Sequence, residues 1–247
     1  MNGWTAHVAS AIKKMAAALG VDVRLHKHSP HRTWLGLDGV RWNTIIDVGA
    51  NEGQFAKACA KRYPHARILS FEPLAHPFAQ LNRLSKRVPQ IEAHRLALGP
   101  STRRTTMNRD PFSPTSSFLP RTAEHESLYP QAGLSVQETV QQTSLDKLVS
   151  TGRIRVAHPT LLKLDVQGYE IEVLKGATRI LDQVDACLAE VSIAHLYEGQ
   201  ATFLELVELL DAKGLHFAGT LDQILRPDGR TSYLDAVFLK GKGSNHE

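Results

Sequence analysis

Cysteine is scarce in this 247-residue chain, which carries only Cys59 and Cys187. Two thiols exclude a disulfide-stapled scaffold and a four-cysteine zinc site. Each sits in an apolar run, so both are expected as buried free thiols, as suits a reducing cytoplasm. Long apolar runs are missing as well. No stretch approaches the ~18 uninterrupted apolar residues that a membrane-spanning helix requires. The opening Met1-Asn2-Gly3-Trp4 lacks the basic-then-apolar layout of a secretory signal, so a cytoplasmic location is expected. There is no internal repeat and no low-complexity tract. What is present is 42% hydrophobic and 22% charged, with a mean hydropathy of −0.23, enough apolar content to bury a full core. The length suits one α/β domain.

The net charge of +4 conceals an asymmetry. Residues 1–110 carry 17 Lys and Arg against 7 Asp and Glu, and residues 111–247 carry 12 against 18. A basic half is compatible with an anionic partner. The basic residues, however, are scattered singly or in pairs such as Lys13-Lys14, Lys61-Arg62 and Arg103-Arg104, without interleaved aromatics. A solvated surface is the better account, and no nucleic-acid partner is expected.

Apolar runs alternate with helix-period segments, the pattern of βαβ units around a parallel sheet. An amphipathic helix fits residues 4–19, and a His-, Arg- and Gly-rich connection follows over 22–42. Residues 1–42 are therefore set apart as an N-terminal helical extension, and 43–247 as the main domain. Strands are predicted over 42–48, 66–71, 91–98, 161–165 and 186–191, with helices over 54–62, from 74 to about 86, 170–181 and 203–213. Residues 99–135 break the rhythm. Pro111, Pro114, Pro120 and Pro130 with several Ser and Thr predict a long irregular loop, of the kind that serves as a lid or stays disordered. Strands near 215–219 and 233–240 bracket the turn Pro227-Asp228-Gly229, so the chain closes in an antiparallel pair. That ending predicts a Rossmann-like, mostly parallel seven-stranded sheet with an antiparallel C-terminal strand and helices on both faces.

The sharpest local signal is Asp47-Val48-Gly49-Ala50-Asn51-Glu52-Gly53, directly after an apolar strand and opening a helix. Gly49 permits a tight strand-to-helix turn and a close backbone approach. The dinucleotide fingerprint G-x-G-x-x-G fails here, because Asn51 and Gln54 occupy its second and third glycine slots. Two carboxylates beside the turn, Asp47 and Glu52, would repel a pyrophosphate and attract a cofactor with a cationic end. Glu72 falls at the tip of the second strand, where a carboxylate can accept hydrogen bonds from ribose hydroxyls. Helix capping and dipole complementation are the structural alternative for Asp47 and Glu72, worth roughly 0.3–2 kcal/mol each.

The string Lys163-Leu164-Asp165-Val166-Gln167-Gly168-Tyr169-Glu170, continuing to Gly176-Ala177, is the most unusual in the chain. Together with Ile45–Gly53, Phe71-Glu72-Pro73 and Thr143–Leu148, it closely resembles the FkbM-like family of S-adenosylmethionine-dependent methyltransferases. The departure is Gln167, where that family usually carries Glu. The resemblance spans about residues 43–240. It implies the class I methyltransferase fold, S-adenosylmethionine as methyl donor, and O-methylation of a hydroxyl on a small-molecule or glycan acceptor, such as a sugar of a glycolipid or oligosaccharide. Secondary-metabolite hydroxyls are the alternative acceptors. A nucleoside-binding protein without catalysis is the alternative function, and a nicotinamide dehydrogenase would need the missing fingerprint.

The expected cofactor residues are Asp47, Gly49, Asn51, Gly53, Glu72 and Pro73, with Leu96 and Ala97 lining an adenine pocket. Asp165 and His195 are the expected catalytic residues. Asp165 can take the acceptor's proton, orient His195 as base, hold a divalent cation, or merely cap the helix that follows. The metal question stays open, because Gln167 removes a carboxylate that ligation could use. Lys163 reads as a buried strand lysine pairing with Asp165 or Glu170, and Glu170 as either a helix-start residue or part of the site. Ser113, Ser116 and Ser117 read as turn residues before substrate contacts.

Overall fold

Ile45 and Ile46 are adjacent and both fully buried, yet they belong to opposite faces of one sheet. The same holds for Ile68 and Leu69 and for Leu161 and Leu162. Side chains alternate along a strand, so an unbroken apolar run means a strand covered on both faces, as in parallel α/β sheets. The computed structural model describes residues 34–241, together with residues 12, 14–16, 18 and 19. The helix expected over 4–19 lies largely outside the described residues.

Seven strands form the central sheet: β1 (Thr44–Val48), β2 (Arg67–Phe71), β3 (Ile91–His94), β7 (Thr160–Leu164), β8 (Ala186–Ser192), β9 (Leu215–Leu225) and β10 (Thr231–Lys240). Their order is β3-β2-β1-β7-β8-β10-β9, and β10 runs antiparallel to both of its neighbours. This is the predicted mixed sheet with its antiparallel C-terminal strand. Helices α1 (Gln54–Arg62) and α2 (Ala75–Ser85) follow β1 and β2, and α5 (Glu170–Lys175) and α6 (Phe203–Asp211) follow β7 and β8. A capping box at Thr202 and Glu205 starts α6, and the ends of β1, β2, β7, β8, α1, α2 and α6 fall within a few residues of the sequence pattern, whereas β9, expected near 215–219, runs on to Leu225. Leu37 and Trp42, from the connection before β1, are buried among Ile45, Ile68 and Leu161, and the Trp42 indole donates to the Leu37 carbonyl at 2.9 Å. Among the described residues no helix is long and apolar enough to cross a membrane.

The structure departs from the sequence pattern in three further places. The single strand expected over 91–98 divides: β3 joins the main sheet, whereas β4 (Ala97–Leu98) joins a separate sheet. That second sheet has the order β4-β6-β5, with β5 over Arg103–Arg109 and β6 over Val136–Thr143. The helix expected over 170–181 stops at Gly176. A Cβ there would sit 2.1 Å from the Gly99 carbonyl oxygen, and the chain resumes as a short 3₁₀ turn at Ile180–Gln183. The Asp146 carboxylate, on α4 (Leu145–Ser150), accepts the freed backbone N–H groups of Arg179 and Ile180 at 2.9–3.2 Å. The third departure is the loop over 99–135, which is not irregular. Its second half folds around the buried Asp110, whose carboxylate accepts from Thr115 Oγ1 at 2.9 Å and from Ser135 Oγ, and meets Arg121 at 3.6 Å. Helix α3 (Ala123–Leu128) then packs His125 against Tyr129 and Tyr197.

The chain runs outward from β1 to β3 and returns to β7 beside β1. The sheet order therefore reverses between β1 and β7, the place where open α/β sheets form a crevice at the carboxyl ends of their strands. Gly49 makes this crevice possible. Its φ of +77° lies in the left-handed region, and a Cβ on it would stand 1.8 Å from the Asp165 carbonyl oxygen. The close approach it permits is thus to the neighbouring strand's backbone. Gly49→Ala is expected to lower stability by more than about 2 kcal/mol, through a strained dihedral and a clash with backbone that cannot yield. Denaturant unfolding of the variant beside the parent measures this, and a loss below that size would show that the β1–β7 mouth is pliable.

Candidate active site

A cleft opens at the carboxyl ends of β1, β2, β7 and β8, and residues 113–118 of the folded loop form its roof. Its acidic lining residues are Glu72, Asp165 and Glu190, and among the described residues neither Lys nor Arg lines it. One wall is apolar, formed by Leu96, Ala97, Leu98, Met107 and Phe118, with Phe118 against Tyr169 at a ring separation of 4.8 Å. An acidic cleft with one apolar wall suits a ligand that carries positive charge at one end and a flat apolar group at the other.

On the β2 side, Glu72 is held by the backbone around it. Its Oε1 accepts from the Leu74 N–H at 2.8 Å and its Oε2 from the Asn51 N–H at 3.0 Å. Each oxygen retains a second acceptor position. Burial raises the Glu72 carboxyl to about 7, against the pull of those two N–H groups. Asn51 sits at φ +47°, and its side-chain oxygen accepts from the Ser113 hydroxyl at 3.0 Å, which ties the roof to the turn after β1.

On the β7 side, strand register sets Asp47 beside Lys163. The Lys163 ammonium lies 3.5 Å from Asp47 Oδ1, 3.1 Å from Asp165 Oδ2 and 3.2 Å from the Gly49 carbonyl oxygen. Burial alone would lower the lysine's pKa, but Asp165 and Asp47 together outweigh it and hold the group cationic. Asp165 Oδ1 accepts from Gln167 Nε2 at 3.0 Å, so both of its oxygens are engaged. The same Gln167 nitrogen donates to Glu190 Oε1 at 2.5 Å, and Gln167 Oε1 lies 2.9 Å from the Tyr197 hydroxyl.

The structure brings Gly49, Asn51, Glu72, Pro73, Leu96, Ala97 and Asp165 to the cleft. Three residues expected at the site do not line it. Asp47 is fully buried beneath the turn, where it acts on the cleft through its ion pair with Lys163. Gly53 starts α1 at φ +92° and packs on α2, where a Cβ would meet Leu84 at 2.7 Å and Leu81 at 3.0 Å. His195 is exposed on the loop beyond β8, with its N–H donating to Glu124 at 3.1 Å and its carbonyl accepting from Thr122. A pairing of Asp165 with His195 is therefore not formed. Lys163 pairs with Asp165 but also with Asp47, and not with Glu170. Of the three serines, Ser113 and Ser116 line the cleft, and Ser117 donates to the Gln167 carbonyl at 2.7 Å. The sequence pattern does not single out Met107, Phe118, Tyr169 or Glu190 as site residues. Glu190 does carry a signal, a carboxylate near the end of a strand next to β7, whereas the other three carry none. Among the described residues no group of three or more His, Cys, Asp or Glu is arranged to hold a metal ion.

A family model described as the methyltransferase FkbM domain matches residues 47–217. The chain is 29% identical over 217 residues to Methyltransferase 1 of Beauveria bassiana, covering 80% of this chain and 80% of that protein. It is 30% identical over 154 residues to a hexuronic acid methyltransferase of Haloferax volcanii, covering 62% of this chain and 56% of the relative. Among solved structures it resembles the methyltransferase FkbM of Methylobacillus flagellatus, with a TM-score of 0.51 at 16% identity, over 81% of this chain and 44% of the other. That likeness concerns the fold.

Glu170 lies outside the cleft lining, buried at the start of α5. Its Oε1 accepts from the Val166 and Gly168 N–H groups at 3.1 and 3.2 Å, and burial raises its carboxyl to about 7. A carboxyl raised by folding adds stability that is complete below its unfolded value near 4.5 and is lost as pH rises through about 7. Glu170→Gln keeps an acceptor for both N–H groups and removes the charge. Its stability relative to the parent is expected to improve by ~1–3 kcal/mol between pH 5 and pH 8. Unfolding curves at the two pH values decide this, and an unchanged difference would mean that Glu170 is ionised in the fold throughout.

Proposed function

Because the chain belongs to the FkbM methyltransferase family and is an S-adenosylmethionine-dependent methyltransferase, we propose that it methylates a hydroxyl oxygen on an uncharged sugar, as a free glycan or as the head of a glycolipid. The observation that carries this reading is the acidic lining of the cleft, to which Glu72, Asp165 and Glu190 contribute and, among the described residues, no Lys or Arg does. The same acidic lining suits the cofactor. S-adenosylmethionine supplies an electrophilic methyl group on a sulfonium and carries an ammonium, and both cations suit an acidic cleft. Asp47 adds support from below, since its Oδ1 is buried with no hydrogen-bond partner and lies 3.5 Å from the Lys163 ammonium.

The residues divide the work. Glu72 accepts the ribose hydroxyls on the free positions of its two oxygens, with Pro73 beside it, and Leu96 and Ala97 offer an apolar face for the adenine. Gly49 and Asn51 bring backbone close to the cofactor. Asp165, fixed by Lys163 and Gln167, places its carboxylate at the reacting end. Holding acceptor and donor in line lowers the barrier by prepaying orientation. The roof, tied down by Ser113 and Ser117, keeps water out of that end.

The uncharged acceptor follows from the same electrostatics. The Haloferax relative is a hexuronic acid methyltransferase by name. A uronate entering this cleft would set its carboxylate against Asp165 and Glu190 with no lining cation to receive it.

Incubation with isotopically labelled S-adenosylmethionine and a panel of neutral sugars, uronic acids and lipid-linked sugars, read by mass spectrometry, is expected to label neutral sugars over uronic acids. Labelling confined to the uronic acids would overturn the assignment. Asp165→Asn is expected to bind S-adenosylhomocysteine within a few-fold of the parent and to lose most of its turnover. Glu72→Ala should weaken that binding by about 1–3 kcal/mol. In the parent, binding should strengthen as pH rises through about 7, since only the ionised Glu72 accepts with both oxygens. Calorimetry across that range gives both results, and pH-independent binding with Glu72→Ala unimpaired would remove Glu72 from the ribose site.

A further inference from the structure

Two carboxylates stand at the reacting end of the cleft, and they are not equivalent. Asp165 has both oxygens occupied, Oδ2 by the Lys163 ammonium at 3.1 Å and Oδ1 by Gln167 Nε2 at 3.0 Å. Glu190 accepts from the same Gln167 nitrogen on Oε1 at 2.5 Å, and no described group bonds its Oε2, which belongs to a cleft-lining side chain. Between them Gln167 is fixed on several sides. Its backbone is held at φ +55°, its carbonyl accepts from Ser117 at 2.7 Å, and its side-chain oxygen lies 2.9 Å from the Tyr197 hydroxyl. The amide therefore cannot rotate away without losing bonds to both carboxylates and to Tyr197.

We propose that Glu190 is the general base of the methyl transfer, through Oε2, and that Gln167 is the residue that positions it. This rests on the reading of the cleft as the site of hydroxyl methylation. In the step, the acceptor's O–H bond breaks and its proton passes to Glu190 Oε2. The acceptor oxygen forms the new bond to the methyl carbon, and the carbon–sulfur bond breaks with its electron pair left on sulfur, which loses its positive charge. The proton then leaves Glu190 for solvent and the base is restored.

The surroundings of Glu190 suit the task. Burial raises its carboxyl well above the ordinary glutamate value, and the negative charges of Asp165 and of Asp235, its register partner on β10, raise it further. Lys163 and the Gln167 hydrogen bond act in the opposite sense. Tyr233 and Tyr197 are the remaining titratable groups that sense this charge, and both are held in the neutral form. A base tuned upward from the carboxylate range toward the working pH is more effective at accepting a proton from a hydroxyl. Asp165, with both oxygens engaged, serves as a fixed charge.

The test begins with the ligand-free full-length protein, so that it is independent of the acceptor. Carboxyl NMR of glutamate-labelled parent, with the Glu190 signal assigned by its loss in Glu190→Gln, should give a midpoint well above the ordinary glutamate value. In Gln167→Met, which keeps the volume and removes the donors, that midpoint should move further up. An ordinary midpoint for Glu190, or one unmoved in Gln167→Met, overturns the proposal. With a sugar that the parent methylates, Glu190→Gln should lose about 10²–10⁴-fold in turnover while binding S-adenosylhomocysteine within a few-fold of the parent. Turnover close to the parent's also overturns it. In Gln167→Met the acidic limb of the turnover profile should shift to higher pH in step with the NMR midpoint. If the parent binds S-adenosylhomocysteine but labels no sugar, the acceptor assignment fails, and the titration still decides the proposal for Glu190 and Gln167.

Discussion

The buried ammonium of Lys163 joins the two strands on which the cleft is built. It reaches Asp47 on β1, the carbonyl of Gly49 in the turn after β1, and Asp165 just beyond β7. The Asp47 carboxylate alone would be costly at this depth, and two carboxylates so close would repel each other. The lysine converts that repulsion into a bridge. Deleting the lysine costs ~3–5 kcal/mol, because Asp47 would stay buried without compensation. The same ammonium sets the charge of the cleft. It offsets the two carboxylates it touches, Asp47 from below and Asp165 at the edge of the cleft.

A second level of organisation rests on that floor. The turn after β1 brings Gly49 against the Asp165 carbonyl and leaves Asn51 in the left-handed region, from where it donates to Glu72 and accepts from Ser113. The roof is thereby fastened to the floor at the cofactor end, and Ser117 fastens it again at Gln167. Its own rigidity comes from Asp110, a buried carboxylate satisfied by Thr115, Ser135 and Arg121. Two of the prolines that suggest an irregular loop, Pro114 and Pro130, instead sit in short helical turns at Ser113–Thr115 and Pro130–Ala132. A polar centre, invisible to hydrophobic periodicity, supplies the order that apolar residues supply elsewhere.

The site is legible in part for the same reason. Glycine turns and carboxylates at strand tips leave a local signature, so Gly49, Asn51, Glu72 and Asp165 stand out from the amino-acid pattern alone. Asp47 carries that signature too, but strand register turns it inward to Lys163 and away from the cleft. His195 follows a strand tip in sequence and still lies outside, because the loop after β8 turns to meet α3 and faces its histidine to solvent. Glu190 is one strand carboxylate among several in the sequence, and the Gln167 bridge to Asp165 is what sets it apart.

The amino-acid sequence by itself determined the alternation of strands and helices, the antiparallel close of the sheet and the glycine turn that opens the cleft. These depend on side-chain period and on backbone dihedrals that only a few residues tolerate, and both are properties of short segments. Only the tertiary structure decided that 91–98 would serve two sheets, that the helix after β7 would break where Gly176 meets Gly99, and that Asp47, Lys163, Asp165, Gln167 and Glu190 would share one network. Those outcomes turn on which strands lie side by side, in what register, and on charges that must find partners once water is removed. Groups far apart in the chain settle them, and no local pattern records the match.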